Sequence, residues 1–311
     1  MQYYEKKGNG FVIAIIQYRR SEMRLSMWTS FYIDLTPRDA IVRLAELGWK
    51  DLELSAEHGD MATQGDDWKE QLLYLKSICE DYGITLWQIH SPLSIDVADQ
   101  NLQKRNKDIE TAVKWLQYSH ELNIPFLVIH PGGSKGAKTD EEEKIIFDLN
   151  FSAFSYLSNI AKDLNVKICI ENMQEKENRD PKRFGAFIYD INELIDSIDS
   201  DALGICFDTS HANVTGLDMY NAISECGKRL MATHISDNDG SSDQHKTFFG
   251  GNIDWAKVIK GMMDIGYNNA FNLEIPGENR IPTTGKVLPL QVRDAKLRYT
   301  KELFDFIVKD I

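Results

Sequence analysis

The chain has little cysteine, no excess of positive charge and no long apolar run, and each shortage excludes a class of protein. Its four cysteines, Cys79, Cys169, Cys206 and Cys226, form no Cys-x-x-Cys pair in 311 residues. A disulfide framework is not expected, and the four read as reduced core residues. Acidic residues outnumber basic ones, 48 to 35, for a formal charge of -13. That balance opposes nonspecific attraction to nucleic acid or an anionic membrane, so neither is an expected partner. The apolar stretch Phe11 to Ile16 lacks a small-residue cleavage site and runs on to Arg19 and Arg20. It is too short for a membrane span or a signal peptide, and the expected location is cytoplasmic. Internal low-complexity segments are missing too.

What is present is a soluble globular composition, 42% hydrophobic and 27% charged, able to bury a large core. The length suits one eightfold barrel with insertions. Strand and helix patterns alternate eight times, with strands near Leu25 to Phe31, Asp51 to Ser55, Thr85 to His90, Phe126 to His130, Lys167 to Glu171, Leu203 to Asp208, Leu230 to Ser236 and Asn269 to Glu274. Apolar stripes at helical spacing lie between or after them: Leu72, Leu75 and Cys79; Trp255, Val258, Ile259, Met262 and Met263; Leu303, Phe304, Ile307, Val308 and Ile311. Thr36-Pro37 and Asp254-Trp255 read as helix starts, Gly83 and Gly266 as helix stops. The expected fold is α/β, a single-domain (β/α)8 TIM barrel over residues 23–311, behind an N-terminal extension of residues 1–22. An open doubly wound sheet is the alternative.

Six of these apolar runs end in a residue able to bind a metal: His90, His130, Glu171, Asp208, His234 and Glu274. Closing the strands into a barrel brings their carboxyl ends to one rim, where these side chains converge. Asp208-Thr-Ser-His211 and Asp243-Gln-His245 add candidates from the loops beyond strands six and seven. The result is nine oxygen or nitrogen ligands, His90, His130, Glu171, Asp208, His211, His234, Asp243, His245 and Glu274, and no thiolate. This mixture suits Zn, Mn, Co or Mg.

The motifs Ile170-Glu171-Asn172, Phe207-Asp208-Thr209-Ser210-His211-Ala212-Asn213, His234-Ile235-Ser236-Asp237-Asn238-Asp239-Gly240 and Gly251-Asn252-Ile253-Asp254-Trp255 carry a resemblance. From about residue 24 onward the chain resembles the xylose isomerase-like barrel superfamily of sugar and sugar phosphate isomerases and epimerases, which also contains endonuclease IV. The resemblance implies one divalent metal held by Glu171, Asp208, His234 and Glu274. It also matches the other five, His90, His130, His211, Asp243 and His245, to the larger zinc cluster of endonuclease IV, so a second metal or substrate contacts are open to them. The implied activity is that of a metal-dependent sugar isomerase or epimerase, abstracting a proton beside a carbonyl through a metal-stabilised enediolate. Glu171 and Glu274 then form the acid/base pair. The alternative is an endonuclease IV-like phosphodiesterase at abasic sites, which the net charge and the acid runs Asp237 to Asp239 and Glu141 to Glu143 oppose. Relatives are often dimers or tetramers, so the resemblance also implies a homo-oligomer.

Around these residues the reading is plainer. Asn172, Asp237 and Asn238 are placed to orient imidazoles or bind sugar hydroxyls, or else to cap and turn the backbone. Arg183, Lys246 and Arg280 read as solvated loop charges rather than anion ligands, His58 as a loop histidine and His120 as structural. Relatives usually carry glycine where this chain has Phe249, after Phe248, so the pocket is expected to differ there. No phosphate-cradling glycine loop follows strands seven or eight, which favours an unphosphorylated sugar, polyol or derivative as partner.

Overall fold

Short apolar strands too buried to alternate in polarity need helices over one face and one another's side chains on the other, and a parallel barrel supplies both. The structure is a computed structural model describing residues 5–7, 10–12, 23–175, 181–278 and 285–310. Its strands are β1 (Arg24–Trp28), β2 (Asp51–Leu54), β3 (Thr85–His90), β4 (Phe126–Ile129), β5 (Lys167–Glu171), β6 (Leu203–Asp208), β7 (Leu230–His234) and β8 (Ala270–Leu273). They lie in the order β8-β1-β2-β3-β4-β5-β6-β7, every neighbouring pair parallel. The seam closes just past the end of β7: the Ile235 N–H donates to the Asn272 carbonyl at 2.8 Å, and the Glu274 N–H donates to the Ile235 carbonyl at 3.0 Å. The sheet is therefore a barrel and not the open alternative. Outside it, Glu5–Lys7 pairs antiparallel with Gly10–Val12.

The helices are α1 (Pro37–Glu46), α2 (Ala56–Ala62), α3 (Trp68–Tyr82), α4 (Leu102–Glu121), α5 (Asp140–Asp163), α6 (Ile188–Ile198), α7 (Thr209–Thr215), α8 (Met219–Cys226), α9 (Trp255–Ile265) and α10 (Leu290–Asp310). The expected stripes face the sheet: Leu72, Leu75 and Cys79 on α3, Trp255, Val258, Ile259 and Met262 on α9, and Phe304 and Ile307 on α10 are buried. Each such side chain contributes about 1.5–3 kcal/mol of burial, which clamps helix to strand. Ile311 lies outside the described residues. Thr36 caps α1 and Asp254 caps α9 through side-chain oxygens, while Gly83 and Gly266 end α3 and α9 in the left-handed conformation. All four cysteines are buried and free.

Five strands are shorter than expected, and the first ends three residues early. Thr29–Tyr32 leave the sheet as a 3-10 turn, because the Thr29 and Ser30 hydroxyls bond Ser55 at 3.1 and 2.8 Å. Among the described residues no helix is long and apolar enough to cross a membrane.

Candidate metal centre

Four strand ends deliver Glu171, Asp208, His234 and Glu274 to one place, with one ligand atom from each lying within 4.8 Å of the others. His234 Nδ1 is 3.2 Å from Glu171 Oε1 and 3.3 Å from Glu274 Oε2. Asp208 caps α7: its Oδ1 accepts the His211 N–H at 2.7 Å, while Oδ2 is buried without a hydrogen-bond partner. His234 Nδ1 is also buried without one. Leaving a carboxylate oxygen and an imidazole nitrogen so exposed to desolvation is costly. A divalent cation ligated by three acids and one imidazole satisfies both, so the residues fit the group.

The tautomers of the imidazoles follow from their neighbours. Backbone carbonyls lie 2.6 Å from His90 Nδ1 (Ser91), 2.8 Å from His211 Nδ1 (Asn172) and 2.9 Å from His245 Nδ1 (Glu274). A carbonyl only accepts, so each Nδ1 carries a proton and Nε2 is the nitrogen that can offer a lone pair to a cation once its own proton is displaced. The Nε2 atoms of four imidazoles gather into two further groups. His90 Nε2 and His130 Nε2 lie 3.2 and 3.4 Å from Glu171 Oε2. His211 Nε2 and His245 Nε2 lie 3.4 and 2.9 Å from Asp243 Oδ2. All nine expected ligands are thus together, in three groups with Glu171 shared between two. His245 holds its position at φ 48, a conformation that favours glycine.

The charges are strongly perturbed. Burial pushes the Glu274 carboxyl up to about 7 against the opposing pull of His234 and His245. Burial acts the same way on Glu171, but there the imidazoles of His234 and His130 prevail and hold the carboxyl well below its ordinary range. Burial works against the His211 imidazolium, yet Asp208, Asp243 and Glu171 raise its pKa to about 10. His245 is raised to about 10 as well, with Glu274 and Asp243 overcoming burial. One carboxyl near neutrality beside another that stays ionised is an arrangement suited to proton transfer.

The flanking residues divide. Asn172 grips Asp208 at both main-chain atoms, accepting from its N–H at 2.7 Å and donating to its carbonyl at 3.0 Å, while the Asn172 carbonyl receives His211. Asn238 donates to the Ser210 carbonyl at 2.8 Å, and Ser210 Oγ donates to Asp243 at 2.6 Å. Asp237 accepts from the Ile253 N–H and the Trp255 indole, both at 3.2 Å, which are the contacts of a loop anchor. His58 is no loop residue; it is buried in α2, with Nε2 3.2 Å from the Leu35 carbonyl. His120 bonds the Leu164 carbonyl at the end of α5 at 2.8 Å, a structural contact. Lys246 is paired with Asp239 at 3.3 Å on the surface, and Arg280 lies outside the described residues. Arg183 departs from the expected solvated charge: burial lowers its pKa, and it feels the charges of Glu171 and Asp96. Phe248 is buried against Trp255, whereas Phe249, at φ 63, is half exposed and lines a 380 Å³ groove with His245 and Tyr299.

Two features beside the cation group escaped sequence reasoning. The Cys206 sulfur lies within 4.8 Å of ligand atoms of Glu171 and His234, and burial keeps the thiol protonated. Glu53 on β2 is buried with its Oε2 3.1 Å from His234 Nε2. The signal was its place between Leu52 and Leu54, since alternation turns an acid between two helix-facing leucines into the barrel.

The family model for the xylose isomerase-like TIM barrel matches residues 41–303. An uncharacterised protein of Methanocaldococcus jannaschii is 28% identical over 244 residues, 76% of this chain and 81% of that protein. A probable endonuclease 4 of Acholeplasma laidlawii is 25% identical over 205 residues, 60% of this chain and 64% of that protein. Among solved structures, a D-tagatose 3-epimerase-like protein superposes with a TM-score of 0.73 at 22% identity, covering 92% of this chain and 97% of its own. D-psicose 3-epimerase with D-tagatose, from Clostridium cellulolyticum H10, does so with a TM-score of 0.75 at 16% identity, covering 92% and 99%. At these identities the structural likeness establishes the fold.

Proposed function

We propose, from the premise that this chain belongs to the xylose isomerase-like TIM barrel family, that it is a divalent-metal-dependent isomerase or epimerase of a small sugar or polyol derivative. The observation that carries the reading is the pair of carboxylates Glu171 and Glu274, brought from the end of β5 and from just past β8 to the same nitrogen of His234. Glu171, Asp208, His234 and Glu274 would hold the cation, which when bound withdraws charge from a substrate carbonyl and so acidifies the proton on the adjacent carbon. Glu171, kept ionised by its imidazoles, is suited to take that proton, and Glu274 to return one. Return to the same carbon from the other side inverts it; return to the neighbouring carbon isomerises the sugar. The fold neighbours named for D-tagatose and D-psicose epimerisation support this class.

The test is a deuterium-exchange screen of ketoses, aldoses, inositol derivatives and their acids in heavy water with Mn2+ or Co2+. Exchange at one carbon is expected for at least one compound, and its loss in both Glu171→Gln and Glu274→Gln. Retained exchange in either variant removes that residue from the role.

A second reading, a phosphodiesterase at abasic sites, is favoured by the nearness of His211, Asp243 and His245 to one another beside the two groups that share Glu171, and by the relatives named probable endonuclease 4. The net charge of -13 argues against a DNA track. The acid run Glu141 to Glu143 does not bear on it, since it fills the first turn of α5, where acids complement the helix dipole. Cleavage of an abasic oligonucleotide, with no exchange into any sugar, would reverse the order of the two readings.

A further inference from the structure

We infer that Glu53 is a positioning residue that fixes which nitrogen of His234 meets the cation. The inference rests on the cation group just proposed.

Glu53 lies on β2 and His234 on β7, so their 3.1 Å contact crosses the barrel interior. Among the described residues no lysine or arginine reaches the Glu53 carboxylate, although it is 1% exposed. Its Oε2 is instead ringed by donors: Gln88 Nε2 at 2.7 Å, Asn272 Nδ2, and His234 Nε2. The direction of the Gln88 bond is forced from outside. Gln88 Nε2 also donates to the Thr233 carbonyl at 3.2 Å, so its amide cannot be reversed without setting oxygen against two acceptors. Asn272 turns its amide nitrogen to Glu53 while its Oδ1 accepts from the Ser26 hydroxyl at 2.8 Å.

The carboxylate is thus an acceptor, and His234 meets it with Nε2–H. That makes Nδ1, which lies 3.2 Å from Glu171 and 3.3 Å from Glu274 and lacks a hydrogen bond, the nitrogen left to give its lone pair to the cation when one binds. In the opposite tautomer a proton on Nδ1 would occupy the direction of the cation. A carboxylate behind the imidazole also raises its basicity as a ligand. Ser26, Gln88 and Asn272 come from β1, β3 and β8, so the device is assembled from five strands and belongs to the barrel itself.

The experiment uses the full chain, stripped with a chelator and titrated with Zn2+ in competition with a chromophoric chelator. Glu53→Gln keeps the shape and one acceptor oxygen but removes the charge, and a 10- to 100-fold loss of Zn2+ affinity is expected from the usual effect of such outer partners. A merely structural Glu53 would lower the melting temperature and leave the affinity of the folded fraction unchanged. A second measurement needs no variant at position 53: long-range 15N–1H correlation on the zinc-loaded wild-type chain, with the His234 signals identified by their absence in His234→Gln. Protonation of Nε2 is expected. A proton on Nδ1, or equal Zn2+ affinity of wild type and Glu53→Gln, overturns the role of Glu53 alone. Failure of the wild-type chain to bind Zn2+ more tightly than Asp208→Asn overturns the cation group and with it both readings.

Discussion

Replacing Asp208 with asparagine separates the demands of the cation from those of the fold. Oδ1 of Asp208 holds the first turn of α7 through the His211 N–H at 2.7 Å, a bond the asparagine oxygen retains. Oδ2 has no partner. Burial disfavours the charged form of Asp208, and although His211 opposes this, Glu171 and Asp243 add like-charge repulsion. Each pKa unit of such a shift is worth about 1.4 kcal/mol against the ionised native state. Without metal, Asp208→Asn is therefore expected to be as stable as wild type or about 1 kcal/mol more stable. With metal the order inverts. A cation at 100 times its Kd stabilises the wild-type chain by about 2.7 kcal/mol, which for a protein of this size raises Tm by roughly 4 °C. The variant is expected to show almost none of that shift. The assay is a thermal melt of chelator-stripped protein with and without Mn2+ or Zn2+. A variant that loses more than about 2 kcal/mol without metal, or one that keeps the full metal-induced shift, refutes the assignment of Asp208.

The pKa values of His211 and His245, raised from 6.5 to about 10, make a second cation at the His211, Asp243 and His245 group compete with protons. Its apparent affinity should climb about tenfold per pH unit for each proton displaced between pH 6.5 and 9, and a flat calorimetric profile would count against the group. The same raised pKa values stabilise the metal-free fold fully below pH 6.5, and this contribution disappears as pH rises towards 10. Melts from pH 6 to 10 should therefore fall less steeply for His211→Asn than for wild type; parallel curves would refute the linkage. A Cβ on Gly251 would stand 2.0 Å from the Asn238 carbonyl oxygen, so Gly251→Ala is expected to cost about 1–3 kcal/mol in urea unfolding. Through Asn238 and Ser210 it should also loosen Asp243, and an unchanged denaturation midpoint would show that the loop yields freely.

By itself the sequence determined the alternation of strands and helices and the placing of a ligand type at strand ends. Both are local, since apolar period and capping residues such as Thr36 and Asp254 act within a few positions. The candidate residues were legible because chemistry at a barrel rim falls on strand ends and the loops after them, where Glu171 and His245 lie. Only the tertiary structure decided how the nine candidate ligands divide into groups, which nitrogen of an imidazole such as His211 is tied to a carbonyl, and that Glu53 stands behind His234. The last of these joins residues 181 positions apart across the barrel interior. Such contacts depend on strand register and barrel closure, which follow from packing the whole chain and leave no pattern in any short stretch of it.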